Sequence, residues 1–293
     1  MRCRNGKRST RPRPCNCAAS RRRRNDGVTP SREVRGEALD YDAPPARPHT
    51  VTVPVEAPVN VVYATLPHAV MMATPADLED FALGFSVTEG VVTDPGEIRG
   101  ITVSTVPRGI VVDIGLMPAA LRRHMARRRS MAGRTGCGIC GIESLDQLPA
   151  ARPVPPAPAI APAAIRRALA ALEALQPLHR ATRAVHAAAW CTTAGDVAAV
   201  REDVGRHNAL DKLVGACLRA GHAPTDGFVV LTSRCSFEMV EKSAAFGAAT
   251  VVAISAPTSL AIDRAMALGI TLIAIARPDG AIRFTTPGAV LGE

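Results

Sequence analysis

Aromatic side chains are scarce. Nine of 293 residues are Phe, Trp or Tyr, too few for a platform that stacks nucleic-acid bases. Lysine is scarcer still, at 3 of the 35 basic residues. The Arg excess accompanies abundant Ala and reads as genomic composition bias. No internal repeat is visible, and no second Cys-x-x-Cys or His-x-x-x-His accompanies the single Cys-x-x-Cys, so a four-ligand zinc site has no obvious complement. The longest uncharged run is 20 residues, Ser243 to Ile262, but Gly247, Ser255, Pro257, Thr258 and Ser259 interrupt it. It reads as helix end, buried strand, turn and helix start rather than a membrane span. After Arg21 to Arg24 come Asn25, Asp26 and Gly27 in place of an apolar signal segment, so the expected location is cytoplasmic.

What is present suits a globular protein: 47% hydrophobic and 21% charged residues. The net charge of +9 is unevenly placed. Residues 1–35 hold 12 Lys/Arg and 2 Asp/Glu and carry +10; residues 36–293 hold 23 and 24 and carry −1. The basicity belongs to a tail, and nothing global indicates nucleic acid. Residues 1–40, rich in Arg, Ser and Pro, read as a disordered tail.

Residues 41–148 read as an N-terminal α/β part. Thr50 to Leu66 alternates like edge strands. Thr74-Pro75-Ala76-Asp77 reads as a helix start with Thr74 as N-cap and Gly90 closing the helix. Ile101 to Val106 and Ile110 to Leu116 read as a hairpin, and Pro118 to Ala132 as an Arg-rich helix. Six prolines within 149–162 predict a linker. Residues 163–293 then alternate helices with short apolar strands, which predicts a three-layer, mainly parallel α/β domain.

Four segments carry candidate chemistry. Gly136-Cys137-Gly138-Ile139-Cys140-Gly141 places two sulfurs in a glycine-rich loop after Arg122, Arg123, Arg127, Arg128, Arg129 and Arg134. A positive field favours thiolate. The pair suits a thiol carrier arm, a redox disulfide or part of a metal site. Of the eight cysteines, Cys191, Cys217 and Cys235 also lie in the body and Cys3, Cys15 and Cys17 in the tail. The second segment, Arg201 to Lys212, puts Arg206, His207 and Asn208 at a helix start, suited to an anion or to a capping network. Thr232 to Glu238 and Arg277-Pro278-Asp279-Gly280 both follow strands, where open α/β sheets bind ligands. Taken singly, His179, His186 and Trp190 read as structural.

These residues resemble the FdhD family, sulfur carrier proteins required for active formate dehydrogenase. The matching stretches are MMATPADLEDFALGFSVTEG (71–90), ARRRSMAGRTGCGICGIESL (126–145), HAAAW (186–190), REDVGRHNALDKLVG (201–215), SRCSFEMVEKSA (233–244), and PTSLAI with GITLIAIARP (257–278). The resemblance implies a two-part α/β protein whose second half is similar to cytidine deaminases. The deaminase zinc signature, H-x-E with P-C-x-x-C, is absent. The resemblance also implies a carrier that accepts persulfide sulfur from a cysteine desulfurase on Cys137. That sulfur would pass to the molybdenum or tungsten bis-guanine-dinucleotide cofactor, the acceptor needed for formate dehydrogenase activity. Cys140 would assist release. The family's cofactor-binding segment falls on Ile275, Ala276, Arg277, Pro278, Asp279 and Gly280, with Arg283 close by, and the family implies a homodimer. The alternative class is a nucleotide-binding redox sensor using a Cys137–Cys140 disulfide; a zinc-binding regulator is more distant.

Overall fold

The computed structural model describes residues 28–42, 45–129, 153–156 and 158–286. Cys137, Cys140 and their loop lie outside the described residues, as do residues 1–27 of the tail.

The chain begins with a two-stranded ribbon, β1 (Ser31–Ala38) and β2 (Arg47–Pro54), paired antiparallel from Ser31 opposite Pro54 to Ala38 opposite Arg47. Residues 31–38 are therefore ordered, against the expectation of disorder through residue 40. Val34 and Ala38 give β1 almost no apolar face; it is held by backbone pairing with β2, which composition does not reveal.

A four-stranded sheet follows, built from β3 (Ala57–Tyr63), β4 (Leu66–Ala73), β5 (Ile98–Val106) and β6 (Gly109–Leu116) in the order β4-β3-β6-β5. Alternate residues of β6, from Ile110 to Leu116, are buried, the mark of a sheet with one covered face. That face packs under α1 (Leu78–Thr88) through Val61, Tyr63, Val112 and Ile114 against Leu78, Phe81 and Phe85. The expected hairpin at Pro107-Arg108-Gly109 is present, and α2 (Pro118–Arg129) follows.

Thr74 does not cap α1. The cap position is Asp77, in the left-handed region at φ 53°. Thr74 is engaged about 130 residues away: its N–H donates to Asp203 Oδ2 at 3.0 Å, its hydroxyl accepts from Val204 N–H at 3.1 Å, and its carbonyl accepts from Lys212 Nζ at 2.9 Å.

Beyond the proline-rich stretch come α3 (Pro162–Leu172) and a short α4 (Pro177–Thr182). The strands of the second sheet are β7 (His186–Thr192), β8 (Val197–Asp203), β9 (Gly227–Leu231), β10 (Thr250–Ala253), β11 (Thr271–Arg277) and β12 (Gly280–Arg283). The helices among them are α5 (Arg206–Ala220), α6 (Phe237–Phe246) and α7 (Ser259–Leu268). The sheet order is β12-β11-β10-β9-β7-β8. One face carries α5, α6 and α7, with Leu210 and Leu213 of α5 packed in one core with Val229, Val251 and Leu272; the other carries α3 over Ala189, Phe228, Val230 and Ile273. Three layers result, as expected.

The sheet is mixed rather than mainly parallel. β9, β10 and β11 run parallel, but β7 is antiparallel to both β8 and β9, and β12 folds back on β11. β7 and β8 are joined by a turn at Gly195 (φ 89°), short enough only for a hairpin. The described part of the proline stretch packs against this domain: Val154 and Ile160 are buried, and the Val154 N–H donates to the Leu268 carbonyl at 2.9 Å. Among the described residues no helix is long and apolar enough to cross a membrane.

The two sheets meet where α1 crosses α5. A Cβ on Gly84 would stand 1.8 Å from the Asp211 carbonyl oxygen, and one on Gly215 would stand 1.9 Å from that of Asp80. Only glycine permits this approach. Ion pairs flank the crossing. Arg201 binds Asp80 at 2.6 Å, and the fully buried Lys212 binds Asp203 at 2.6 Å. Lys242 reaches both Asp211 oxygens at 2.9 Å and Glu89 at 2.8 Å. One ammonium thus serves two carboxylates. Burial, opposed by Lys242, pushes Asp211 up to about 6. Lys242 stays protonated: burial opposes its charge, but Asp211 and Glu89 outweigh it and raise its pKa.

Gly84→Ala and Gly215→Ala should each destabilise the fold by at least about 2 kcal/mol, because a methyl at such a contact forces the helices apart. Gly36→Ala, with nothing near its added Cβ, should be close to neutral; urea denaturation compares the three. Lys242→Met should cost roughly 3–5 kcal/mol near neutral pH, since it leaves the buried Asp211 carboxylate without its counter-ion. Asp211 has a folded-state pKa above its unfolded value, so its contribution is full below the ordinary carboxylate range and is lost as pH rises through about 6. The Lys242→Met variant should therefore regain part of its lost stability at about pH 5; a deficit unchanged by pH would remove the buried-Asp211 explanation.

Candidate functional site

The thiols divide by burial. Cys191, Cys217 and Cys235 lie in β7, in α5 and just before α6, and all are fully buried. Burial pushes each thiol up to about 12. At neutral pH they are protonated and packed, hence poor nucleophiles. The other two of the five body cysteines, Cys137 and Cys140, stand eight and eleven residues beyond the end of α2 and remain the candidate pair.

A cleft of about 370 Å³ lies between α3 and the β11–β12 hairpin. Its lining includes Arg166 from α3, Arg277, Pro278, Asp279 and Gly280 from the turn, and Arg283 from β12. Three arginines and one aspartate are among its lining residues, a balance that suits an anionic ligand. Of the six residues expected to bind cofactor, Arg277 to Gly280 line the cleft. Ala276 is buried in the core beneath α3, and Ile275 is partly exposed at the bend above it.

Ile275 explains the bend. It sits at φ 53°, an outlier for a β-branched residue. Its N–H lies on the β10 side of the strand and donates to the Ser255 carbonyl, just past the end of β10, at 3.1 Å. The register shifts there, between Ala274 and Arg277. The bulge turns Ala276 onto the α3 face, where strict alternation from Ile273 would have put it on the opposite one. Arg277, on the far side of the bulge, donates to the carbonyls of Ile254 and, at 3.1 Å, Ala276. Strain of this kind concentrates at ligand clamps.

The other two anion motifs come together at the carboxyl end of β9. Arg206 and His207 open α5; Ser233 and Arg234 follow β9; His186 begins β7 opposite Asp203. Burial, with Arg206 and Arg234 beside it, lowers the His186 pKa, and burial with Arg206 lowers His207 to about 4. Both imidazoles are neutral at physiological pH. Asn208 serves structure: its amide donates to the Met72 carbonyl at 2.8 Å and to Asp203 at 3.0 Å. Ser233 is buried and donates to the carbonyl of Arg234.

Arg166 had no signal in the sequence, where it belongs to an ordinary amphipathic helix with a polar outer face. His179 and His186 read singly as structural; only the folded sheet brings them beside Arg206 and Arg234.

The comparisons with known proteins agree with this architecture. The profile of the FdhD/NarQ family matches residues 54–291. A relative from Variovorax paradoxus (strain S110), named sulfur carrier protein FdhD, is 47% identical over 241 residues, covering 82% of this chain and 87% of its own length. One of the same name from Cupriavidus necator is 48% identical over 233 residues, covering 79% and 81%. A crystal structure of a protein proposed to be a formate dehydrogenase accessory protein, from Desulfotalea psychrophila, superposes with a TM-score of 0.68 at 24% identity. It covers 89% of this chain and 99% of that one, a likeness of fold. With β3 to β12 and the cysteine loop inside the matched span, the chain belongs to the FdhD/NarQ family.

Proposed function

We propose that this protein is a sulfur carrier serving formate dehydrogenase, with Cys137 as carrier thiol and a guanine-dinucleotide molybdenum (or tungsten) cofactor as the substrate that receives sulfur. The relatives' shared name supports the class of activity. The observation that carries the residue assignment is the division of thiols: every described body cysteine is buried and protonated, which leaves the Cys-x-x-Cys pair to act.

The chemistry balances as thiol exchange. The Cys137 thiolate attacks the outer sulfur of a persulfide on the donor, a cysteine desulfurase. A new S–S bond forms on Cys137, the donor S–S bond breaks, and the donor leaves as thiolate. For delivery, the Cys140 thiolate attacks the inner sulfur of Cys137. A Cys137–Cys140 disulfide forms, and hydrosulfide departs to the acceptor. A dithiol reductant then restores both thiols.

The cleft between α3 and the β11–β12 hairpin is the place for a guanine-nucleotide arm. Arg166, Arg277 and Arg283 supply positive charge, and Gly280 keeps the turn free of a side chain. The molybdenum cofactor enters this account as cargo held by its phosphates.

Cys137→Ala should abolish persulfide formation after incubation with a desulfurase and cysteine, and should abolish formate dehydrogenase activation. Cys140→Ala should still load sulfur, because loading needs one nucleophile, but deliver it poorly. Mass spectrometry of intact and trypsin-digested protein reads loading, and client activity reads delivery. Persulfide retained in Cys137→Ala and lost in Cys140→Ala reverses the roles; a disulfide without any persulfide in the wild type favours a redox sensor. Arg277→Ala should weaken GDP binding at the cleft about tenfold, as expected for one charge-assisted contact of roughly 1.5 kcal/mol. Isothermal titration checks this, and unchanged affinity removes the nucleotide from the cleft.

A further inference from the structure

Helix α2, which leads to the Cys-x-x-Cys loop, turns a face to solvent that none of the described residues covers. Its inner side is spent on the first sheet. Ala120 is fully buried, and Leu121 packs partly against the same core. His124 is 4% exposed, with its ring 4.8 Å from Tyr63 and 5.3 Å from His68. The start of the helix is fastened as well. The Met117 N–H donates to the Glu97 carbonyl at 2.7 Å, and Arg123 pairs with the Glu97 carboxylate at 2.6 Å. The outward side is thereby fixed. Ala119, Arg122 and Ala126 stand on one stripe with Met125 beside it, and all four are exposed.

Two features separate this face from an ordinary solvated one. The first is charge. α2 holds five of the 23 Lys/Arg of residues 36–293 and none of their 24 Asp/Glu, and no acidic residue occurs from Ile114 to Ile142. Solvated helix faces usually mix both signs at i,i+4. Glu97 neutralises Arg123; Arg122 has no such partner among the described residues. The second is composition. Ala119 and Ala126 let a partner approach the helix closely, and Met125, 45% exposed, offers a pliable apolar contact. Met and Arg are both enriched in protein interfaces. A lipid surface fits less well, because an interfacial helix needs a broad face of large apolar side chains. α2 carries no Trp, Phe or Tyr and gives its inner side to the core. Cys137 follows the end of α2 by eight residues, a reach of at most about 28 Å at full extension. A protein docked on α2 thus stands within range of that thiol.

We propose that the outer face of α2, with Arg122 and Met125 at its centre, is the docking surface for an acidic protein, the persulfide donor that loads Cys137. Opposite charge steers the encounter and sets its orientation, and the strip around Met125 supplies the apolar part of the contact. This deepens the proposed function and rests on it for the partner's identity, while the face itself rests on the composition and exposure of α2.

The test uses the full chain and a cysteine desulfurase. Isothermal titration reads docking. Persulfide mass on Cys137 reads loading, either from the desulfurase with cysteine or from N-acetylcysteine methyl ester persulfide, a small donor with no docking surface. Arg122→Glu and Met125→Ser should each weaken desulfurase binding about tenfold and slow loading from it in proportion. Loading from the small donor should not change. Both side chains are exposed, so both variants should fold. Arg108→Glu makes the same change of charge in the β5–β6 turn, at the other end of β6, and should behave as wild type. Wild-type binding should itself weaken about tenfold from about 0.05 M to about 0.5 M salt. Desulfurase binding that is absent in wild type, unchanged in Arg122→Glu, or weakened equally by Arg108→Glu overturns the docking face. Arg122-dependent binding to phosphatidylglycerol vesicles in place of the desulfurase also overturns it and gives the face to lipid. Failure of wild type to load from either donor overturns the carrier reading instead, and desulfurase binding still decides the face.

Discussion

Two helix backbones touch where Gly84 on α1 meets α5 and Gly215 on α5 meets α1, and the placement of both sheets follows from that contact. Glycine supplies closeness but no specificity. Specificity comes from the charges around it: Arg201 with Asp80, Lys212 with Asp203, and Lys242 with Asp211 and Glu89. Buried charges cost free energy unless paired in good geometry, so a slip of one helix past the other would strand several of them together. The crossing therefore has one low-energy register, and each part holds half of every pair except Lys212–Asp203 and Lys242–Asp211. Those two still reach across, to the Thr74 carbonyl and to Glu89.

That register sets the carboxyl edge of the second sheet. Asp203 and Lys212 anchor the β4–α1 connection onto the start of α5, where Arg206 lies near His186. The two arginine-bearing regions then differ in construction. The cluster at α5 and β9 is built from side chains on well-anchored elements. The Arg277 cleft depends on a bulge, with Ile275 held at positive φ and Arg277 fastened to main-chain carbonyls. Rigid support beneath a strained turn is a common arrangement for grasping a ligand. The buried thiols of Cys191, Cys217 and Cys235 belong to the packing that supplies this rigidity.

Much of this was legible in the chain. Apolar runs such as FVVL and TVVA marked buried strands, and Gly90 marked the end of α1. Where the reading failed, a distant partner decided. β1 carries too few apolar residues to announce itself and exists because β2 pairs with it. Thr74 has every local mark of a helix cap, yet Asp203, Val204 and Lys212 claim its groups. Strand direction was only partly legible: the turn at Gly195-Asp196 marks where β7 turns back into β8, but alternating helices and strands do not show that β7 also runs antiparallel to β9. At the sites, Arg277 and its turn were readable from their place after a strand. The left-handed Ile275 was not, since no β-branched residue signals such a conformation, and Arg166 and the histidine pair acquire meaning only through tertiary neighbours.

The central claim is that sulfur held by this chain passes to a nucleotide-bearing cofactor bound by it. The most direct measurement loads the full chain with radiolabelled sulfur from a desulfurase, removes the donor, and adds the guanine-dinucleotide molybdenum cofactor. The account predicts label in the isolated cofactor, with transfer suppressed by excess GDP. Label that stays on the protein, or leaves it equally well without the cofactor and regardless of GDP, would contradict it.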